Sequence, residues 1–146
     1  MRALVQRVAR ASVTVDDVIT AQIGKGLVIL LGVTKADTAY DAEKLADKVT
    51  RLRIFPDSNR KMNFSVLDIS GELLVVSQFT LYADTRRGNR PSYSDAARPE
   101  LAEPLYQHFV ESCRRAGIVV KTGQFQAYMN VELVNEGPVT ILCENK

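Results

Sequence analysis

The usual equipment of a hydrolase is missing from this chain. It has one histidine, His108, and two cysteines, Cys113 and Cys143. One histidine offers little toward a Ser-His-Asp arrangement. His108 also falls in a segment of helical spacing, where such a residue serves packing or the surface far more often than catalysis. There is no Gly-x-Ser-x-Gly elbow, no His-Glu-x-x-His, no Cys-x-x-Cys and no phosphate-binding glycine loop. Two cysteines cannot close a four-ligand zinc site, and with no second pair a disulfide is not expected. Both read as reduced, buried residues. These absences count against a metal enzyme, nucleotide hydrolysis and dinucleotide redox chemistry, so no metal and no cofactor is expected.

Charge of one sign is scarce as well. Nineteen basic and 17 acidic residues leave a net charge of +2, too little to announce nucleic acid without local clustering. No window approaches the roughly 18 apolar residues of a membrane span, and the opening Met1-Arg2-Ala3-Leu4-Val5-Gln6-Arg7 lacks the apolar stretch of a signal peptide. The expected place is the cytoplasm. What is present is ordinary globular material: 146 residues, 46% hydrophobic and 25% charged. That length fits one domain, 1–146, able to bury roughly 68–70% of its unfolded surface.

Along the chain, residues 3–15 read as extended, with the β-formers Leu4, Val8, Val13 and Val15 among polar residues. Asp16-Asp17 signals a turn, and Val18 to Ile23 a second strand. Leu27-Val28-Ile29-Leu30-Leu31 is the continuous apolar run of a strand buried on both faces. Thr38 reads as a helix N-cap with Asp41 in capping-box spacing. Leu45, Val49 and Leu52 then repeat at helical spacing, so the helix should end near Arg53. Phe55-Pro56-Asp57-Ser58-Asn59 reads as loop. Leu73-Leu74-Val75-Val76 is another buried strand, running into Ser77-Gln78-Phe79-Thr80. Residues 84–97 have no period and carry Arg86, Arg87 and Arg90, which suits a surface loop. A second helix should begin near Pro99, with Leu101, Leu105, Phe109 and Cys113 as its stripe and Gly117 as its end. Pro104 either bends that helix or marks its true start. Strands are expected at 118–122, 127–134 and 138–143. The class is α/β, in a single compact domain.

Two segments carry chemistry. In an extended chain Ser77 and Phe79 share one face, and Gln78 and Thr80 the other. A strand end that turns polar is a common place for a site and equally a common edge near solvent. Asn135-Glu136-Gly137-Pro138-Val139-Thr140 places Gly-Pro between two strands, which normally means a turn. Taken alone, neither segment is specific.

Together, and in order with the rest of the chain, they are. Ala3-Leu4-Val5-Gln6-Arg7-Val8, Leu31-Gly32-Val33, Arg53-Ile54-Phe55, Lys61-Met62-Asn63, Val75-Val76-Ser77-Gln78-Phe79-Thr80-Leu81, Arg90-Pro91-Ser92, Gly123-x-Phe125, Met129 and Asn135-x-Gly137-Pro138-Val139-Thr140 follow one another across the sequence. With this ordered set the chain resembles the D-aminoacyl-tRNA deacylase (D-tyrosyl-tRNA deacylase) family. The resemblance implies a mixed, partly barrel-like β-sheet with two main helices, and a homodimer with active sites at its interface. It implies hydrolysis of the ester of D-aminoacyl-tRNA, and of glycyl-tRNA, which has no side chain to exclude. Gly137-Pro138 would be cis and would present backbone carbonyls to the α-amino group in the other subunit's site. Ser77, Gln78, Phe79 and Thr80 would form the pocket floor beneath the ester. A Thr80 nucleophile needs a base, and none is evident. That favours the 2′-hydroxyl of the terminal ribose as the assisting group. Phe125 and Met129 would pack around the terminal adenine, though core packing suits both equally. Arg86, Arg87 and Arg90, with Arg98 beyond them, would meet acceptor-arm phosphates; their plainer role is a solvated charged loop. Gln126 stands where the family usually has Gly or Ala, and Glu136 where Asp is commoner. The rivals are a sister class with a trans Gly-Pro that edits L-alanyl-tRNA, a non-catalytic nucleic-acid-binding module on the same fold, and an interaction domain with no chemistry.

Overall fold

In the computed structural model, which describes residues 1–145, the extended opening is one long strand, β1 (Arg2–Val15). Ala3 and Val5 face one apolar cluster, and Val8, Ala11 and Val13 face a second. An irregularity between Val8 and Arg10 lets one strand serve both. Asp16 and Asp17 take φ of 49° and 61°, the left-handed pair of a tight hairpin, and lead into β2 (Val18–Ile23). Strand β3 (Gly26–Gly32) lies antiparallel to β1 and parallel to β6 (Glu72–Ser77). Its Leu27, Ile29 and Leu31 are fully buried, each stabilising the fold by roughly 1.5–3 kcal/mol relative to exposure.

Two helical crossovers build the parallel part of the sheet. Helix α1 (Ala39–Thr50) links β3 to β6, and its N-terminus is capped as expected. The Asp41 carboxylate accepts from the Thr38 N–H at 2.8 Å and the Thr38 hydroxyl at 2.7 Å. Helix α2 (Pro99–Arg115) links β6 to β7 (Val119–Thr122). The helices pack on each other and on one sheet face, placing Leu45, Val49, Leu105, Phe109 and Cys113 in the first cluster. The second cluster fills the concave side, where β2 also packs against β6 and β7, so the sheet curls into a partial barrel. The chain closes with β8 (Asn130–Glu144), which runs antiparallel to β1 along nearly its whole length.

Several expectations need correction. The first helix stops at Thr50, short of Arg53. Residues 55–59 open a small hairpin, β4 (Phe55–Pro56) with β5 (Met62–Phe64), rather than a free loop. Its tightness comes from Asp57, whose carboxylate accepts from the Asn59 and Lys61 N–H groups and from the Asn63 amide at 2.6 Å. Pro104 neither starts nor ends its helix; it lies exposed within it. Leu101 lies on the exposed side and not in the buried stripe. The expected strands at 127–134 and 138–143 are one strand, because Gly137-Pro138 loops out of a ladder that resumes on both sides.

Candidate active site

Strand β6 delivers the first motif. The chain leaves the ladder after Ser77, so the expected alternation of faces from Ser77 to Thr80 does not hold. A short 3-10 turn, Phe79–Tyr82, follows instead. The Gln78 N–H donates to the Leu31 carbonyl at 2.8 Å, fixing the turn to β3. The first bond of the turn runs from the Leu81 N–H to the Gln78 carbonyl at 3.3 Å. The Phe79 and Thr80 N–H groups precede it and therefore lack partners within the turn. The Gln78 side-chain amide donates to the Thr80 hydroxyl.

Ser77, Gln78 and Phe79 line a cleft of about 700 Å³. Its base is apolar, formed by Leu31 and Val76. Phe125 and Met129 line it too, so two of its walls come from the motifs the sequence singled out. Both residues also pack inward. Phe125 meets Tyr106 at 5.8 Å between ring centres, and Met129 packs on the second cluster. Core packing and cleft lining are thus both realised. Gln126 takes φ of 62°, a left-handed position where Gly fits without strain. Its side chain is exposed at the cleft rim. Thr80 is not among the lining residues.

The second motif is a clamped bulge. Gln6 pairs with Thr140 and Val8 with Asn135, so the four residues between stand opposite Arg7 alone. The Gly137-Pro138 bond is cis, and both residues are exposed. Asn135 holds the base of the bulge: its Oδ1 accepts from the Val139 N–H at 3.0 Å and its Nδ2 donates to the Thr140 hydroxyl at 2.8 Å. Arg7 holds the tip. Although charged it is only 8% exposed, and it donates from Nε to the Glu136 carbonyl at 3.1 Å and from Nη1 to the Ile54 carbonyl at 2.6 Å. Neither Gly137 nor Pro138 lines the cleft of its own chain.

The arginine segment is more ordered than a free loop. Asp84 and Ser92 exchange two backbone hydrogen bonds, at 2.7 and 2.9 Å. Arg86 is engaged by Asp84 through two side-chain bonds of 2.9 and 2.7 Å. Among the described residues neither Arg87 nor Arg90 forms an ion pair. The Arg86 guanidinium, then its backbone N–H, pull the Asp84 carboxyl down to about 2. A depressed carboxyl stabilises this loop above the ordinary aspartate value of about 3.9, and the contribution is lost as pH falls through about 2. Carboxyl NMR should therefore find Asp84 titrating near the acid extreme; a midpoint in the ordinary range would show the pair broken in solution.

The remaining candidates fall where the sequence placed them. His108 lies on the helix surface, 2.8 Å from Glu43 on α1. Cys113 is buried, and burial pushes its thiol up to about 12, which removes it as a nucleophile. Among the described residues no group of three or more His, Cys, Asp or Glu is placed to hold a metal ion, and no helix is long and apolar enough to cross a membrane. Sequence reasoning missed Arg7 and Asn135 as the supports of the bulge. It also missed Tyr93 and Tyr128, which line the cleft. A lone Arg within an alternating strand gives no local signal; the buried position itself was the available hint, since Arg7 continues the inward series of Ala3 and Val5.

Fold and cleft together define a single-domain α/β protein with a small-molecule-sized pocket at the end of a buried parallel strand. The chain belongs to the D-Tyr-tRNA(Tyr) deacylase family, whose model matches residues 4–144. A D-aminoacyl-tRNA deacylase of Fervidobacterium nodosum is 58% identical over 146 residues, covering 100% of this chain and 98% of that protein. One of Clostridioides difficile is 58% identical over 145 residues, covering 99% and 97%. Among solved structures, a c-Myc DNA unwinding element binding protein superposes with a TM-score of 0.94 at 42% identity, covering 100% of this chain and 99% of that one. A probable eukaryotic D-amino acid tRNA deacylase gives 0.83 at 16% identity, covering 97% of each chain, which speaks to the fold.

Proposed function

We propose that this protein hydrolyses the ester of D-aminoacyl-tRNA, releasing the D-amino acid and the tRNA. The observation that carries the reading is the cleft, which brings Ser77, Gln78 and Phe79 together with Phe125 and Met129 in a volume typical of small-molecule sites. The terminal adenosine enters with its base against Phe125 and Met129. The ester lies over Ser77-Gln78-Phe79, and the Phe79 N–H group faces the oxygen that gains charge during attack. The Thr80 hydroxyl is engaged by the Gln78 amide, and no carboxylate, imidazole or amine among the described residues hydrogen-bonds to it. A nucleophilic Thr80 would need such a base. The 2′-hydroxyl of the terminal ribose therefore assists, and the protein supplies position and electrostatics.

Chirality is read by the Gly137-Pro138 bulge of a second copy. Its carbonyls accept from the α-ammonium, a group of three donors and no acceptor. With ammonium and ester both held, a D side chain points out and an L side chain meets backbone. Glycine has nothing to exclude, so glycyl-tRNA is also cleaved. Two features support a symmetric dimer: the exposed bulge lies outside its own chain's cleft, and β8 pairs with β1 alone among the described residues. A 15-residue edge strand with exposed Val134 and Leu142 is the kind that natural proteins cover. Arg87, Arg90 and Arg98, with Arg86 once released from Asp84, face acceptor-arm phosphates. The working place is the cytoplasm.

A second reading, a nucleic-acid-binding module without chemistry, draws on the name of the 42%-identical solved structure. One assay separates the two. D-tyrosyl-tRNA and L-tyrosyl-tRNA are offered to wild type and to Thr80→Ala. The deacylase reading expects cleavage of the D ester alone, with Thr80→Ala still active. A well-folded dimer that cleaves neither ester overturns it in favour of the binding module.

A further inference from the structure

We infer that Tyr128, with Tyr93 and Phe79, forms an aromatic rim that stacks the unpaired nucleotides immediately preceding the terminal aminoacyl-adenosine. This rests on the proposed deacylase reading and extends it from the last nucleotide to those before it. The three side chains line one cleft from three different segments: the turn before β8, the loop before α2, and the 3-10 turn after β6. They are 91%, 41% and 55% exposed, respectively. Single exposed aromatics are ordinary on a protein surface, but three around one opening are a patch.

Local structure explains how Tyr128 gets there. The left-handed Gln126 turns the chain, and the Ala127 N–H closes that turn on the Gln124 carbonyl at 3.2 Å. From Phe125 to Met129 burial then alternates: Phe125, Ala127 and Met129 are partly covered, while Gln126 and Tyr128 are exposed. The segment that gives two walls to the pocket thus lifts Tyr128 to its mouth. Tyr93 is held differently, edge to face with Phe79 at 5.1 Å and 75°. That contact fixes both rings where each retains exposed surface.

The occupant follows from connectivity. Leu31 and Val76 are the most deeply buried lining residues and mark the inner end of the cleft, so a terminal nucleotide bound inside continues into the rest of the RNA on the exposed side, where Tyr128 lies. Those next nucleotides are single-stranded, and their bases offer a π-face whatever their identity. Aromatic platforms beside a cation are the usual way to hold such a strand, and Arg98 lines the same cleft. Stacking of this kind makes no demand on base identity, so the rim would serve many tRNA species alike.

The test compares Tyr128→Ala and Tyr128→Phe on two substrates, D-tyrosyl-tRNA and 3′-O-D-tyrosyl-adenosine, which lacks the preceding nucleotides. Tyr128→Ala should lower kcat/KM on the tRNA by roughly 5- to 150-fold, chiefly through KM. It should leave the adenosine ester unaffected, and Tyr128→Phe should restore the tRNA rate. Equal losses on both substrates, no loss on the tRNA, or a Phe variant as poor as the Ala variant would each overturn the proposal. So would a change of oligomeric state in Tyr128→Ala by sedimentation, which would make the residue part of a protein interface. Wild type inert toward both substrates is a different result: it removes the deacylase reading itself.

Discussion

A D-aminoacyl-tRNA whose terminal ribose carries hydrogen in place of the 2′-hydroxyl, with the amino acid on the 3′-oxygen, should be cleaved about 10²- to 10⁴-fold more slowly than the normal substrate. The expectation comes from the surroundings of Thr80. Its hydroxyl is tied to the Gln78 amide, it lies outside the cleft lining, and the lone histidine sits on α2 against Glu43. With Cys113 buried and protonated, no activated nucleophile is found among the described residues for the proposed site. The RNA hydroxyl is adjacent to the ester it would assist, which is an advantage of position that no side chain here matches. Thr80→Ala should by contrast stay within about tenfold of wild type, the cost of a lost hydrogen bond being about 1 kcal/mol. Single-turnover rates on the two RNAs decide the matter. Normal cleavage of the deoxy substrate together with an inert Thr80→Ala would return the nucleophile role to Thr80.

Gly137→Ala should lower D-aminoacyl-tRNA hydrolysis on the order of 10²-fold while leaving the protein folded. Gly137 takes φ of 123°, where an L side chain is strained. A Cβ there would lie 2.9 Å from Arg7 Nη2 and 3.0 Å from Val139 Cγ2. Both neighbours are held in place, Arg7 by two carbonyls and the Val139 backbone by Asn135. The bulge has to give, at about 1–3 kcal/mol of strain, and its carbonyls move. Because the bulge is proposed to act in the partner's cleft, subunit exchange gives a sharper readout. Gly137→Ala mixed with a cleft variant such as Phe79→Ala should recover about a quarter of wild-type activity, since half the dimers are mixed and each holds one intact site. Mixed dimers that form and remain inactive would sink the cross-subunit arrangement.

How much of this was legible in the sequence depended on whether the signal was local. The Asp16-Asp17 hairpin, the Thr38–Asp41 cap and the apolar run of β3 are set by neighbours in the chain, and each lies where it was expected. The helix end was misplaced because Leu52 continues the apolar spacing beyond Thr50 although the backbone has already turned. Gly-Pro suggested a break between strands. The pairing of β8 with β1 instead continues past it, and that pairing joins residues more than a hundred positions apart. The cleft-lining role of Ser77, Gln78, Phe79, Phe125 and Met129 came through the family resemblance; spacing alone left it open. Tyr93 and Tyr128 stayed hidden because nothing near them in the chain says what they will face, and Arg7 had only its place in the inward series of β1 to mark it.

The two ends of the chain meet in one ladder, from Arg2 opposite Glu144 to Thr14 opposite Asn130. Arg7 reaches Glu136 across 129 positions and Ile54 across 47. Such contacts close long loops, so they are expected to form late in folding. A nascent polypeptide can form the β1–β2 hairpin and α1 early, yet it has no bulge, no clamp and no completed sheet until β8 has been made and docked. Competence therefore waits on the docking of β8, and a chain lacking that strand would be an inert one.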